Sequence, residues 1–108
     1  MTCEDTTAVR LTWELQQLEP FSKVWICRGY GRATTTAAPA DIARAVLAGH
    51  LAATPAGAGE TFRGLAHAGD GPPHIITTDQ LPADDGWTAD PDVRQALPIY
   101  LREALASA

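Results

Sequence analysis

From Val9 to Gln16 hydrophobic and polar residues alternate one for one, Val9, Leu11, Trp13 and Leu15 interleaving with Arg10, Thr12, Glu14 and Gln16. A period of two puts one set on each side of an extended chain, so the pattern predicts a strand over Ala8 to Gln16 with one buried and one wet face. A helix competes over Glu14 to Glu19, where helix formers are dense and Leu11, Leu15 and Leu18 share a stripe, but Trp13 falls off that stripe. Ser22 to Thr36 holds Val24, Trp25, Ile26, Cys27, Tyr30 and three consecutive threonines, residue types that suit a pleated surface. With Leu18-Glu19-Pro20 breaking the run, the two segments pair most simply as an antiparallel hairpin.

Pro39 followed by Asp41 reads as a first helical turn, the proline where a missing donor is harmless and the carboxylate near the positive end of the dipole. The helix is predicted over Pro39 to Ala53, with Ile42, Val46, Leu47 and Leu51 as its apolar stripe packed against the sheet. Residues 54–73 contain five glycines and three prolines. That composition predicts a flexible segment, interrupted by a short helix from Glu60 to Ala68 that presents Phe62 and Leu65. His74 to Thr78 is short, apolar and β-branched, hence a further strand, and Leu81 to Ala89 forms an acidic loop around Trp87. Asp90, Pro91 and Asp92 open a last helix whose Val93, Leu97, Leu101 and Leu105 recur every four residues. This stripe keeps its phase across Pro98, which predicts a kink rather than a break. The expected fold class is α+β: one domain over 1–108, frayed at 1–6, in the order ββα(α)βα, a β-hairpin plus a further short strand with two main helices on one sheet face.

Composition sharpens this picture in two ways. Leu, Ile, Val and Phe number 21 of 108 at a net charge of -5. The aliphatic content is near the ~20% below which highly charged chains stay disordered, so this chain folds, but around a thin core. A thin core predicts a homodimer or larger assembly that covers what one copy leaves open. The charge is also uneven: residues 1–54 balance five basic with five acidic groups, whereas 55–108 set three against eight. Twenty alanines, and seven arginines against one lysine, carry a GC-rich coding bias that accounts for much of the composition without function. No charged start precedes an apolar run, so neither leader nor membrane segment is expected, and the location expected is cytoplasmic, with Cys3 and Cys27 as free thiols.

The segment Lys23 to Arg32, KVWICRGYGR, is where charge and aromatic surface coincide, and Lys23, Trp25, Arg28, Tyr30 and Arg32 are the candidate binding residues. Arginines there could reach phosphates while Trp25 or Tyr30 stack on bases; the plainer reading is a strand with core aromatics and solvated arginines, and the acidic second half would repel a polyanion. Gly29 and Gly31 lack the third glycine and following helix of a dinucleotide loop. His50, His67 and His74, with Asp70, match no standard ligand spacing, and Asp79, Asp84, Asp85, Asp90 and Asp92 lack an EF-hand pattern, so neither metal nor cofactor is expected. Cys27 sits among apolar neighbours where a thiol is inert, and no pair of carboxylates is placed to work as acid and base. The expectation is therefore a non-catalytic module that associates with another protein or itself. The alternatives are a nucleic-acid-binding regulator using Lys23 to Arg32 and a small enzyme or ligand-binding protein with a pocket under the Gly-rich segment.

Overall fold

The computed structural model describes residues 9–53, 60–69, 71–80 and 91–107. Strands β1 (Val9–Leu18) and β2 (Trp25–Thr35) precede helix α1 (Pro39–Ala53). Strands β3 (Phe62–Ala68) and β4 (His74–Thr77) follow, then a 3-10 turn at Thr78–Gln80 and helices α2 (Pro91–Gln95) and α3 (Ile99–Ser107). The four strands form one antiparallel sheet in the order β2-β1-β3-β4. The fold is thus the expected α+β arrangement, with the hairpin in place and α1 over the predicted span. The expected frayed end at 1–6 and the acidic loop at 81–89 lie outside the described residues.

Register follows the alternation in β1. Leu11, Trp13 and Leu15 point to one face, where they are buried with Phe62 and Ala66 of β3 and Ile42, Ala43, Val46 and Leu47 of α1. Val93, Leu97 and Leu101 of the C-terminal helices close the same core. Two glycines let backbone approach backbone. A Cβ on Gly64 of β3 would lie 2.3 Å from the Ala43 carbonyl oxygen, and one on Gly49 of α1 would meet Leu101 at 3.2 Å. Each missing side chain draws one layer down onto the next.

Two local expectations are corrected. The stretch Glu60 to Ala68 is not a short helix: Phe62–Ala68 is an inner strand, paired on one side with β1 and on the other with β4. Alternate residues Phe62, Gly64 and Ala66 are buried, a period of two that helix-forming Leu65 and Ala68 disguised. Of the segment 54–73 expected to be flexible, 54–59 and 70 lie outside the described residues, and its middle is built into the sheet. The last helix is interrupted rather than kinked. α2 ends at Gln95 and α3 begins at Ile99, with the Leu101 and Arg102 amides donating to the Pro98 carbonyl. Pro98 lacks the N–H that a continuous helix requires, so it stands at the start of a new one, and the apolar stripe survives as two short faces on one core.

The hairpin tip carries the one non-glycine residue at positive φ among those described, Lys23 at 62°. Glu19 organises it: its carboxylate accepts from the Ser22 amide at 2.7 Å and the Phe21 amide at 3.1 Å, while the Lys23 amide donates to its carbonyl. These bonds hold the Glu19 carboxyl below the usual carboxylate range, the Ser22 bond first. Among the described residues no helix is long and apolar enough to cross a membrane.

Gly64→Ala is expected to destabilise the protein by ~2–3 kcal/mol in urea denaturation, because the new methyl meets main chain rather than a movable side chain. Lys23→Gly is expected to raise stability by about 0.5–1 kcal/mol in the same measurement, removing the cost of a left-handed side-chain-bearing residue.

Candidate functional site

Helices cover one face of the sheet, and among the described residues no element packs on the other. Register assigns to the open face Arg10, Thr12, Glu14, Gln16 and Leu18 of β1; Trp25, Cys27, Tyr30, Arg32 and Thr34 of β2; Arg63, Leu65 and His67 of β3; and Ile75 and Thr77 of β4. Three arginines there oppose one glutamate, a basic surface on an acidic protein. Arg63 is ordered at its centre. Its guanidinium lies 4.1 Å from the Trp25 ring centroid and its Nε donates to Gln16 Oε1 at 2.6 Å, while Gln16 Nε2 donates to Glu14 at 2.7 Å.

The five candidate binding residues are divided by a bulge. Gly29 stands opposite Leu15 and Cys27 opposite Gln16, so Arg28 is an extra residue in β2. It falls with Gly29 on the helix side, where its charge bears on His50. Trp25, Tyr30 and Arg32 share the open face; Lys23 sits at the hairpin tip. Arg63, Arg10 and His67, which local sequence reading did not single out, complete that face because they lie on other strands. Alternation in β1 marks Arg10 from sequence. Arg63 and His67 required β3 to be read as a strand.

His50, in the last turn of α1, tilts against Phe62 with ring centroids 4.9 Å apart. A helix C-terminus favours a cation, but burial outweighs it here, and Arg28 adds repulsion; Glu60 pulls weakly the other way. The imidazole is held below its usual value of 6.5. Cys27 is an exposed thiol whose Sγ–H donates to the Gly29 carbonyl at 3.7 Å; local desolvation by the surrounding strand and the neighbouring Glu14 carboxylate push its pKa up, which disfavours the thiolate. His67 and His74 lie on opposite sheet faces, and among the described residues no group of three His, Cys, Asp or Glu side chains comes together.

Of the exposed large apolar side chains among the described residues, Phe21, Val24, Ile26 and Tyr30 belong to β2 and its turn and Ile99 and Tyr100 to α3, while Val9 and Ile75 lie on β1 and β4. Between β2 and the α2–α3 junction runs a cleft of about 480 Å³, continued by one of about 280 Å³ toward Thr36 and Asp92. Its β2 wall is low because the residues facing it are Gly29, Gly31 and Ala33. A Cβ on Gly31 would lie 2.6 Å from Trp13 Cζ2, so the indole occupies the space over that glycine; one on Gly29 would approach the Tyr100 hydroxyl at 3.7 Å. The Gly29 and Gly31 pair thus serves ring packing, not phosphate binding. No known family model matches the chain, and comparisons with curated proteins and with solved structures found no match.

NMR titration is expected to show His50 protonating below pH 6.5. Since the folded state binds that proton less readily than the unfolded chain, stability is full above ~6.5 and declines as pH falls toward the folded-state value. His50→Phe should flatten that part of the pH profile.

Proposed function

We propose that this protein is a non-catalytic association module that binds another protein along the β2 side of its sheet. The observation that supports this reading is the run of exposed large apolar side chains along β2 and its turn, with two more at the start of α3. Phe21 is 92% exposed, Tyr30 74%, Ile99 64% and Tyr100 52%. Leaving such groups in water forgoes about 1.5–3 kcal/mol each relative to burial, and a partner surface recovers it. The inert Cys27, the scattered histidines and a cleft walled by glycine and aromatic carbon speak for recognition rather than bond-making. A cytoplasmic location belongs to the same proposal and is compatible with the exposed thiol of Cys27.

One observation favours a second reading, binding of single-stranded nucleic acid: Trp25, Tyr30, Arg32, Arg63, His67 and Arg10 share one uncovered face, a basic surface with aromatic stacking groups. Two features weigh against it. Trp25 already stacks on Arg63, and Glu14 lies in the middle of that face.

A photo-reactive benzoylphenylalanine in place of Tyr30, irradiated in cells, decides between the readings. The expected product is one discrete protein adduct, absent when the same group replaces Ala52 on the exposed side of α1. Adducts with nucleic acid would establish the second reading instead, and no adduct above the Ala52 control would overturn both.

A further inference from the structure

The cleft beside β2 has the form of a strand-addition site. β2 is an edge of the sheet and is 11 residues long, whereas the opposite edge, β4, has four. Along an antiparallel edge every second residue turns its N–H and C=O outward. Among the described residues, no backbone hydrogen bond reaches β2 from that side. Past the bulge at Arg28, Gly29 to Thr35 pairs with β1 one residue for one, from Leu15 to Val9. This leaves a regular template of ~20 Å without the bulges, prolines or lysines that usually blunt an edge.

Two features show what kind of strand would fit. First, the side chains of β2 on the cleft side are absent or a single methyl, so a neighbouring strand can lower a side chain between β2 and α3. The floor at that point is Trp13, 4% exposed, with its Cε2–Nε1 edge over Gly31. The Trp13 indole N–H opens onto the cleft with no hydrogen-bond partner among the described residues, and the Tyr100 hydroxyl, on the same cleft, lies 3.7 Å from where a Cβ on Gly29 would stand. Both groups reach the solvent in the cleft, so each is a donor open to an acceptor side chain lowered beside it. Second, β2 carries Arg28 and Arg32 and no acid, and Arg32 lines the cleft. The acids nearest to hand are Asp92, which accepts from the Thr36 hydroxyl at the far end, and Glu14, one strand in on the open face. A second copy of β2 would bring two more arginines and no carboxylate. The charge of the edge is complementary to an acidic segment of a different chain.

We propose that β2 accepts a fifth strand: an extended segment of the partner protein pairs with Gly29 to Thr35 and lowers an Asp or Glu side chain into the cleft beside the Trp13 ring, where Trp13 Nε1–H and the Tyr100 hydroxyl donate to it. This rests on the reading of the protein as an association module and specifies how the partner is held. Main-chain bonds would give the affinity and the carboxylate the register.

The probe is an acetylated, amidated peptide of nine residues, alternating Thr and Val with one central Asp, titrated into the full chain and followed by amide chemical shifts and Trp13 side-chain N–H resonance. The expected result is shifts confined to Gly29–Thr35 and the α2–α3 junction, with the indole N–H moving downfield. The same peptide with Asn in place of its Asp should bind at least tenfold more weakly, and N-methylation of alternate peptide amides should abolish binding. Arg32→Glu, an exposed change that leaves the fold intact, should weaken the Asp peptide at least fivefold; Trp13→Phe should erase the Asp-over-Asn preference if it folds. Absence of shifts on β2, equal binding of Asp and Asn peptides, or concentration-dependent shifts of β2 without peptide, which would mean that a second copy occupies the edge, each overturns the proposal. A protein adduct at Tyr30 together with a silent peptide titration would leave the association module standing and remove strand addition alone.

Discussion

The contact between the backbones of α1 and β3 at Gly64 sets the architecture. Because a Cβ there would overlap the Ala43 carbonyl, the helix lies on the sheet as closely as main chain permits, and it lies over β3 with β1 and β4 on either side. One helix seated this deeply covers β1, β3 and β4 with Ile42, Val46 and Leu47, small investments of aliphatic surface. A chain with few large aliphatics closes its core by approach rather than by bulk. The same economy recurs at Gly49, which admits Leu101, and at Gly31, which admits the Trp13 ring.

Seating α1 over β3 and its two neighbours leaves β2 to the C-terminal helices. α2 and α3, broken apart at Pro98, pack on α1 and meet β2 only across a cleft. The unpaired edge, the low wall of Gly29, Gly31 and Ala33, and the exposed Tyr100 are thus consequences of one packing decision made at Gly64. The opposite sheet face owes its openness to the same cause, since every helix among the described residues lies on one side.

Charge is arranged on this frame by alternation. β1 sends Arg10, Thr12, Glu14 and Gln16 to the open face as its leucines and Trp13 go to the core. β2 would have sent Arg28 to the open face too, but the bulge turns it toward His50, where it reinforces the effect of burial on the imidazole. Arg63 then takes the central place on the open face, stacked on Trp25 and bonded to Gln16.

Local pattern alone determined β1, the hairpin and α1, because each has a strong period and a chemical start or stop within reach of a few residues: alternation about Trp13, the break at Pro20, and Pro39 with Asp41 at the helix start. The class α+β followed from their order. Two things were decided only by tertiary structure. Phe62–Ala68, FRGLAHA, has no strong local preference, and its two pairing partners are distant in sequence, so β1 and β4 rather than propensity make it a strand. The stripe Val93, Leu97, Leu101 and Leu105 is compatible with one kinked helix or two. Contact with α1 at Gly49 selected two, because Leu101 must reach the core while Pro98 cannot donate. The candidate site divides in the same way. Trp25, Tyr30 and Arg32 were legible as one strand's aromatic and basic residues, whereas Arg63, Trp13 and Tyr100 joined them only through strand order and the cleft. A surface is made by neighbours in space, and one strand's sequence holds a single row of it.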